Sequence, residues 1–318
     1  MDNSEPEVSI LILNWNGKDL LNDCLESIAS HTQYENYQVV VIDNNSDDGS
    51  VPFVMDRFPE VSIIRNSSNV GFAEANNRAI GYTTSEYVLL LNNDVEVKEG
   101  WLKSLIDLAE SKPNAGIVSP RIVYEDGLPQ FLGDKVLLDE SNIPDVFLDV
   151  VRLFEKQFDY EKEIISGIGA ALLISREVFD TVGCLDEEYE FYMEDTDFCL
   201  RARSNGFEVW YTPNSEVVHK SRSTSSSDSY YSYYLRRKSR VRFYVLNYSI
   251  PRLVAQIPAE CMTIIDSIRH GYTKWLFKAY LDGYKRLPTD LRRRQERSQV
   301  NHTTNKFRRL HETVSELF

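Results

Sequence analysis

Residues 87–95, which read YVLLLNNDV, indicate the fold more clearly than any other part of the chain. Five apolar residues run directly into two amides and a carboxylate, Asn92, Asn93 and Asp94, before Val95 resumes the apolar character. A continuous apolar run is typical of a strand buried on both faces of a sheet. Hard oxygen ligands at its carboxyl end suit a divalent cation. An ordinary strand followed by an Asn/Asp turn has the same pattern, so this stretch alone leaves both interpretations open.

The same pattern recurs on the amino-terminal side of this stretch. VSILILN at 8–14 and VVVID at 39–43 are apolar runs that end in polar residues, and segments with helical spacing separate them. Such strand–helix alternation predicts a mainly parallel sheet with helices on both faces, which is an α/β fold. Ligands of these sheets bind beyond the carboxyl ends of the strands. Asn14, Asp43 and 92–94 fall at those ends.

Two later clusters carry further chemistry. Glu194 and Asp195 stand at a predicted helix start, where the helix N-terminus favours an ionised carboxylate that can act as a general base. Simple helix capping explains the same acids. His219 follows a predicted strand, although a lone histidine is usually no ligand. Between them, residues 164–175 read as one apolar strand with small residues at its start.

The cysteines and the apolar runs indicate the compartment that the sequence suits. The 318 residues include four scattered cysteines without a CxxC pair, which favours reduced thiols in a cytosolic compartment. The first residues lack the pattern of a signal peptide, and no run of 18 uncharged apolar residues occurs.

Charge is distributed unevenly along the chain. Residues 1–219 hold 15 Lys/Arg against 41 Asp/Glu, whereas 220–318 hold 20 against 8. The basic region predicts contact with an anionic surface, either a membrane or the acidic body of the protein itself. The acidic body argues against nucleic acid as a partner.

Taken in order, the motifs resemble those of family 2 glycosyltransferases with the GT-A fold, most closely the rhamnosyltransferase-like branch. They are VSILILNWNG, VVVIDNNSDDGS, NVGFAEANNRAI, LLLNNDVEV, MEDTDFCLRARSNGF and VVH, and they span residues 8–220. The resemblance implies a mainly parallel central sheet flanked by helices, with a C-terminal helical extension. We expect a catalytic domain over 1–220, a flexible segment over 221–250 that covers the active site, and a basic helical extension over 251–318.

The resemblance also implies catalytic and metal-binding roles. Asp94 would coordinate Mn²⁺ or Mg²⁺ with His219 as the second ligand, and Asp195 would be the catalytic base with Glu194 beside it. Asn92 departs from the usual DxD motif, in which an Asp stands first. With one carboxylate fewer, we expect weak metal binding until the donor diphosphate supplies oxygens of its own.

Other residues are implied in substrate binding. The set expected to bind the nucleotide-sugar consists of Asn14, Asp43, Asn69, Gly71, Asn76, Asn92, Asn93 and Gly167. The set expected to contact the diphosphate or the acceptor consists of Ser223, Tyr233, Arg236 and Arg237.

The sequence thus predicts an inverting, metal-dependent glycosyltransferase. The donor would be a dTDP-, UDP- or GDP-linked sugar, with rhamnose as the first choice, and the acceptor a saccharide or a polyprenyl-diphosphate-linked saccharide. We expect a cytoplasmic enzyme of polysaccharide biosynthesis that contacts the inner face of the membrane. Two alternatives stay open: a nucleotidyltransferase acting on sugar phosphates, although NWNGKDL lacks a Gly-rich basic phosphate loop, and a catalytically silent nucleotide-sugar-binding protein.

Overall fold

A computed structural model of the chain describes residues 5–131, 159–220 and 230–297. The chain divides into two compact units. The first contains the described residues through Glu188 and again from Glu194 to Lys220. The second contains Tyr189–Met193 and 230–297.

The first unit alternates strands and helices, as the sequence predicts. Its strands are β1 (Val8–Asn14), β2 (Tyr37–Asp43), β3 (Ser62–Arg65), β4 (Tyr87–Asn92), β5 (Val95–Val97), β6 (Ala115–Val123), β7 (Pro129–Phe131), β8 (Lys162–Ile164), β9 (Ala171–Ser175) and β10 (Glu208–His219). Its helices are α1 (Lys18–His31), α2 (Ser50–Arg57), α3 (Phe72–Tyr82), α4 (Trp101–Ser111), α5 (Arg176–Val182) and α6 (Glu194–Ser204).

Within the described residues these strands form one mixed sheet. The order is β3-β2-β1-β4-β9-β6-β10-β5, with β7 paired to β6 and β8 to β10. The first four strands of this order are parallel, and β9 is antiparallel to both of its neighbours. The α/β class is therefore as predicted, with the parallel character concentrated in the amino-terminal half.

The core of the first unit lies on both faces of the parallel strands. Ile10, Leu11 and Ile12 in β1 and Leu89 in β4 are fully buried. A strand buried on both faces needs apolar residues at successive positions, which explains the continuous runs in the sequence. Burying each such side chain contributes about 1.5–3 kcal/mol, so the central strands are rigid supports for the polar residues at their ends.

The second unit is helical. Its helices are α7 (Tyr230–Asn247), α8 (Ile250–Ala255), α9 (Ile257–Arg269) and α10 (Thr273–Lys285), and a further helical stretch covers 287–297. Pro258 lies in the first turn of α9, where a missing N–H does no harm. No helix among the described residues is both long and apolar enough to cross a membrane.

Residues 164–175 and 221–250 differ from the pattern that the sequence predicts or extend it. The single strand expected over 164–175 is wrong, because β8 ends at Ile164, β9 begins at Ala171, and a loop containing Gly167 and Gly169 separates them. The segment expected to be flexible over 221–250 contains the 18-residue helix α7. Its first part, 221–229, lies outside the described residues, and a covering role for the segment stays a prediction.

Candidate active site

Three parallel strands deliver polar residues to one edge of the sheet. In the register of the sheet, Asn14 at the end of β1 pairs with Asp43 at the end of β2. On the other side of β1, Leu13 pairs with Asn92 at the end of β4. The strand ends predicted from the sequence are therefore neighbours in space.

The turn after β4 is fixed to the end of β1 by side-chain amides. Asn93 donates from Nδ2 to Asn14 Oδ1 at 2.8 Å, and Asn14 donates from its own Nδ2 to Ser46 Oγ at 3.2 Å. A Cβ at Gly17 would come within 2.3 Å of Asn93 Nδ2, so glycine is required where the chain leaves β1. These contacts set the direction in which Asp94, the next residue, leaves the strand.

Asp43 is a buried carboxylate that has both a hydrogen-bond donor and a basic side chain as partners. It is fully buried and accepts from the backbone N–H of Ser46 at 3.2 Å. Arg65 Nε lies 3.4 Å from its Oδ2 and balances its charge. A carboxylate at this strand end is suited to accept hydrogen bonds from a ligand, and its role with the nucleotide stays a prediction.

The proposed metal ligands come from two strands that are far apart in sequence. β10 runs antiparallel to β5, with His219 opposite Val95, and this pairing brings the imidazole to Asp94. His219 Nε2 lies 3.1 Å from Asp94 Oδ1 and 3.4 Å from Asn92 Nδ2. On the other side of the ring, Nδ1 lies 2.7 Å from Gln130 Oε1. Because this oxygen is an acceptor, it favours the tautomer with the proton on Nδ1, and the unprotonated Nε2 faces Asp94.

This pair fits a hard divalent cation that has further ligands. Within the described residues no group of three or more His, Cys, Asp and Glu side chains could hold a metal ion. Neighbouring ligands of an octahedral ion with bonds of about 2.1 Å lie about 3 Å apart, which the separation of Nε2 and Oδ1 matches. Two protein ligands, one of them anionic, leave most coordination positions for water or substrate oxygens.

Asp195 is held at the start of α6, as predicted. Its Oδ2 accepts from the backbone N–H of Gly169 at 2.8 Å, and its Oδ1 accepts from the backbone N–H of Thr196 at 2.6 Å. Burial raises the pKa of Asp195 above its ordinary value, and these hydrogen bonds oppose that rise. A carboxylate with a raised pKa, fixed in position, is a better proton acceptor than an exposed one.

Glu194 differs from its neighbour. Burial, followed by the charge of Asp195, raises the pKa of Glu194 to about 8. Just before it, Tyr192 and Met193 both adopt left-handed backbone conformations, with φ of 69° and 73°. Such conformations cost about 1–3 kcal/mol each in non-glycine residues and concentrate at functional sites.

One loop links Asp195 to the strand end that precedes Asp94. In this loop, between β8 and β9, Gly169 donates to Asp195 while the next residue, Ala170, accepts from the backbone N–H of Asn92 at 3.0 Å. Phe72, the first residue of α3, lies where a Cβ at Gly169 would approach to 3.1 Å. The structure thus brings Asp195, Asn92 and the N-terminus of α3 together.

The remaining sequence-predicted residues of the first unit have structural partners. Asn69 Oδ1 accepts from the backbone N–H of Gly71 at 3.0 Å, and Gly71 has a φ of 84°. Asn76 is buried and donates to the Phe72 carbonyl at 2.9 Å. A Cβ at Gly167 would lie 2.4 Å from Leu172 Cδ1 and 3.1 Å from Ser119 Cβ, so ordinary packing also favours glycine at this position. Their contacts with a nucleotide-sugar stay predictions.

The residues predicted to contact the diphosphate or acceptor belong to the second unit or lie outside the described residues. Arg236 lies over the Tyr192 ring, at 5.4 Å from its centroid, and Arg237 lies over the Tyr233 ring at 5.2 Å. Arg237 also donates to Thr263 Oγ1 at 3.3 Å. Ser223 lies outside the described residues.

Sequence reasoning missed several residues of this site. Gln130 and Gly169 act on residues 89 and 26 positions away, and nothing in their local sequence indicates it. Ser46 stands inside the quoted motif VVVIDNNSDDGS, three residues after Asp43, so its position in the sequence was a usable signal.

Comparison with known proteins identifies the family. The model of the family described as glycosyl transferase family 2 matches residues 9–183, more than half of the chain. The chain belongs to glycosyl transferase family 2. The matched range includes Asp43 and Asp94, whereas Asp195 and His219 lie beyond it.

Named relatives of this family 2 chain are moderately similar. An N-acetylglucosaminyl-diphospho-decaprenol L-rhamnosyltransferase of Mycobacterium tuberculosis is 28% identical over 60% of this chain and 68% of its own length. A low-salt glycan biosynthesis hexosyltransferase of Haloferax volcanii is 24% identical over 82% of both chains. The chain spans 24% and 18% of the length of two longer relatives, from Sinorhizobium fredii and Myxococcus xanthus.

Solved structures confirm the predicted GT-A fold. GalNAc-T7 with UDP, GalNAc and Mn²⁺ matches with a TM-score of 0.60 at 17% identity, over 90% of this chain and 59% of that one. A mannosyltransferase of Pyrobaculum calidifontis in complex with GDP-Man and Mn²⁺ matches with a TM-score of 0.55 at 15% identity, over 99% of this chain and 82% of that one.

Proposed function

We propose that this protein is an inverting, metal-dependent glycosyltransferase that transfers a sugar from a nucleoside-diphosphate donor to an acceptor hydroxyl. The observation that carries the proposal is the loop between β8 and β9. Through Gly169 and Ala170 it joins a half-buried carboxylate, Asp195, to the strand end that precedes Asp94. A general base and a metal-ligand pair at one sheet edge are what a single displacement at an anomeric carbon requires.

Asp195 is proposed as the base. The acceptor oxygen forms a bond to the anomeric carbon while the bond from that carbon to the diphosphate oxygen breaks. The acceptor proton passes to Asp195, and the nucleoside diphosphate leaves. The burial that raises the pKa of Asp195 favours this proton transfer, and the two backbone N–H groups hold its oxygens in place. A single displacement inverts the anomeric centre.

Asp94 and His219 would hold Mn²⁺ or Mg²⁺, which when bound neutralises the charge that develops on the leaving diphosphate. Gln130 keeps the imidazole in the orientation that presents Nε2 to Asp94. Asn14 and Asp43, paired at neighbouring strand ends, would receive the nucleotide. The N–H groups at the start of α3 beside Gly71 favour an anion such as the donor diphosphate.

The identity of donor and acceptor is proposed from the named relatives. The M. tuberculosis relative is a rhamnosyltransferase acting on a decaprenol-diphosphate-linked sugar. We propose dTDP-rhamnose as the donor and a polyprenyl-diphosphate-linked saccharide as the acceptor. UDP- and GDP-sugars are the alternatives to test.

Donor turnover tests the proposal. Purified protein is incubated with dTDP-, UDP- and GDP-sugars and either Mn²⁺ or Mg²⁺, and release of nucleoside diphosphate is measured. We expect release from one donor, loss of release with chelator, and an inverted anomeric configuration of the product by NMR. Release of pyrophosphate from a nucleoside triphosphate and a sugar phosphate would instead establish a nucleotidyltransferase.

The variant Asp195→Asn tests the role of the base. It keeps the shape of the side chain and removes the proton acceptor, so transfer should fall at least about a thousandfold while nucleotide affinity changes little. Asp180→Asn, an exposed position on α5, is the matched control and should retain full activity. Loss of nucleotide binding together with transfer in Asp195→Asn would show that Asp195 is not the base.

A further inference from the structure

The helix α9 in the second unit has its polar and apolar faces reversed for a water-soluble helix. Its buried positions are the polar residues Thr263 and Ser267. Glu260 is half-buried and accepts from the Tyr280 hydroxyl. Its outward residues are apolar and between 43% and 71% exposed, namely Ile257, Met262, Ile264, Ile265 and Ile268. A surface helix of a water-soluble protein normally shows the opposite arrangement.

The exposed apolar residues of α9 belong to one contiguous stripe. Ile257, Ile264 and Ile268 recur at the spacing of one helical face, and Ile265 lies beside them. On the preceding helix α8, Ile250 and Val254 are four residues apart and also exposed. Single exposed apolar residues are ordinary, but exposed apolar rows on two successive helices favour an interaction surface.

The neighbouring helix α10 adds basic residues to this pattern. Phe277 and Leu281 are 67% and 61% exposed. Lys274 is exposed on the same helix, and Lys278, one turn further on, lies over the Tyr234 ring at 4.6 Å from its centroid. A helix face with aromatic and aliphatic residues beside lysines suits the boundary between acyl chains and headgroups, where lysine stems extend toward the phosphates.

The net positive charge of the second unit favours an anionic surface as the partner of the outward face of α8–α10. Residues 230–297 contain 15 Lys/Arg against 5 Asp/Glu. Exposed basic residues occur on all three helices, namely Arg252 on α8, Arg269 at the end of α9, and Lys274 on α10. Anionic headgroups offer the opposite charge across a plane, with an apolar layer beneath it.

We propose that the outward face of α8–α10 is a docking surface for an anionic lipid bilayer, with the apolar stripe of α9 lying in the interface. The 13 residues of α9 would extend about 20 Å along the membrane plane, too short to cross a hydrocarbon core of about 30 Å. This inference rests on the proposed function for its purpose, since a polyprenyl-linked acceptor resides in such a bilayer. Vesicle binding is measured without donor or acceptor, so its outcome is independent of catalysis.

Vesicle flotation with the full chain tests the proposal. We expect binding to vesicles of phosphatidylcholine with about a third phosphatidylglycerol at low salt, and much weaker binding to phosphatidylcholine alone. The variant Ile265→Glu/Ile268→Glu should lose affinity at least about tenfold. Two charged side chains would then replace two apolar side chains that the bilayer interface buries. Arg269→Glu/Lys274→Glu should lose binding to anionic vesicles and flatten its dependence on salt.

Matched controls separate docking from folding. Met55→Glu places one negative charge at a 66% exposed apolar position on α2 and should bind vesicles like the wild type. All variants should keep the wild-type melting temperature, because the altered positions are exposed. The proposal is overturned if the full chain ignores anionic vesicles or if Ile265→Glu/Ile268→Glu binds them unchanged. It is also overturned if light scattering finds a wild-type dimer that this variant breaks while vesicles are not bound, since the face would then join two copies.

Discussion

Glu194 and Asp195 are adjacent carboxylates, the first buried and the second half-buried, with different surroundings. Asp195 accepts from the backbone N–H groups of Gly169 and Thr196, and these bonds favour its ionised form. Among the described residues, Glu194 Oε2 is buried and has no hydrogen-bond partner. Two close carboxylates cannot both ionise at low cost, so Glu194, whose Oε2 has no donor among the described residues, keeps its proton. We infer that Asp195 carries the charge at neutral pH and that Glu194 is neutral.

The neutral state of Glu194 predicts a pH-dependent stability. Its pKa in the folded protein is about 8 against an ordinary value of 4.5, so between these values the folded state binds more protons than the unfolded one. Stability contributed by this proton is complete below about pH 4.5 and is lost as pH rises through 8, by roughly 3–5 kcal/mol. Glu194→Gln should remove that loss, so the variant gains melting temperature relative to wild type as pH rises from 5 to 8.5.

A second variant checks that the effect belongs to the buried group. Glu177→Gln, at an exposed position of α5, should leave the pH dependence of the wild type unchanged. If the melting temperatures of Glu194→Gln and of the wild type change with pH in parallel from pH 5 to 8.5, Glu194 does not hold a proton in the folded state.

At the scale of elements, the strand ends were predictable and one strand was not. The ends of β1, β2 and β4 were found because a fully buried parallel strand must be apolar until it leaves the sheet. The run 164–175 predicts one strand because it is largely apolar, with small residues near its start. Gly167 fits against Leu172, and Gly169 presents its N–H to Asp195. Both contacts depend on parts of the chain that local periodicity does not report.

The connection from β1 to α1 supports the turn that carries Asp94. Because a Cβ at Gly17 would lie 2.3 Å from Asn93 Nδ2, Gly17→Ala should displace this amide from Asn14. We expect a loss of about 1–3 kcal/mol in the free energy of unfolding, measured by urea denaturation, together with weaker Mn²⁺ binding.

Gly81→Ala provides a control of opposite sign. Gly81 lies in α3, where a Cβ would meet nothing within 4 Å, so alanine should stabilise the protein by about 0.5–1 kcal/mol. Equal effects of the two substitutions would show that Gly17 is not required for the close approach of Asn93.

At the scale of the whole molecule, charge opposes the substrate that the site is proposed to bind. Residues 1–219 carry 41 acidic against 15 basic residues, and a nucleoside diphosphate is itself anionic. The proposed metal-binding pair of Asp94 and His219 contains a single carboxylate, that of Asp94. A cation held by this pair would therefore take most of its negative ligands from the diphosphate, and it would in turn supply positive charge to the diphosphate.

This mutual dependence predicts strong coupling between metal and nucleotide. Mn²⁺ should tighten dTDP binding at least about tenfold, about 1.4 kcal/mol, and dTDP should tighten Mn²⁺ binding by the same factor. Both affinities can be measured by calorimetry. Asp94→Asn should abolish most of the coupling because it removes the anionic ligand. Gln130→Leu should weaken Mn²⁺ about tenfold, because the imidazole loses the partner that orients it.

The exposed position Asp56 on α2 gives a control, because Asp56→Asn removes one negative charge from the same acidic unit. If this control weakened the coupling as much as Asp94→Asn, the effect would come from net charge rather than from ligation. If wild-type protein bound Mn²⁺ equally tightly with and without dTDP, the protein would have to supply the missing ligands itself. The Asn at position 92, where a DxD motif has Asp, would then have no consequence for metal binding.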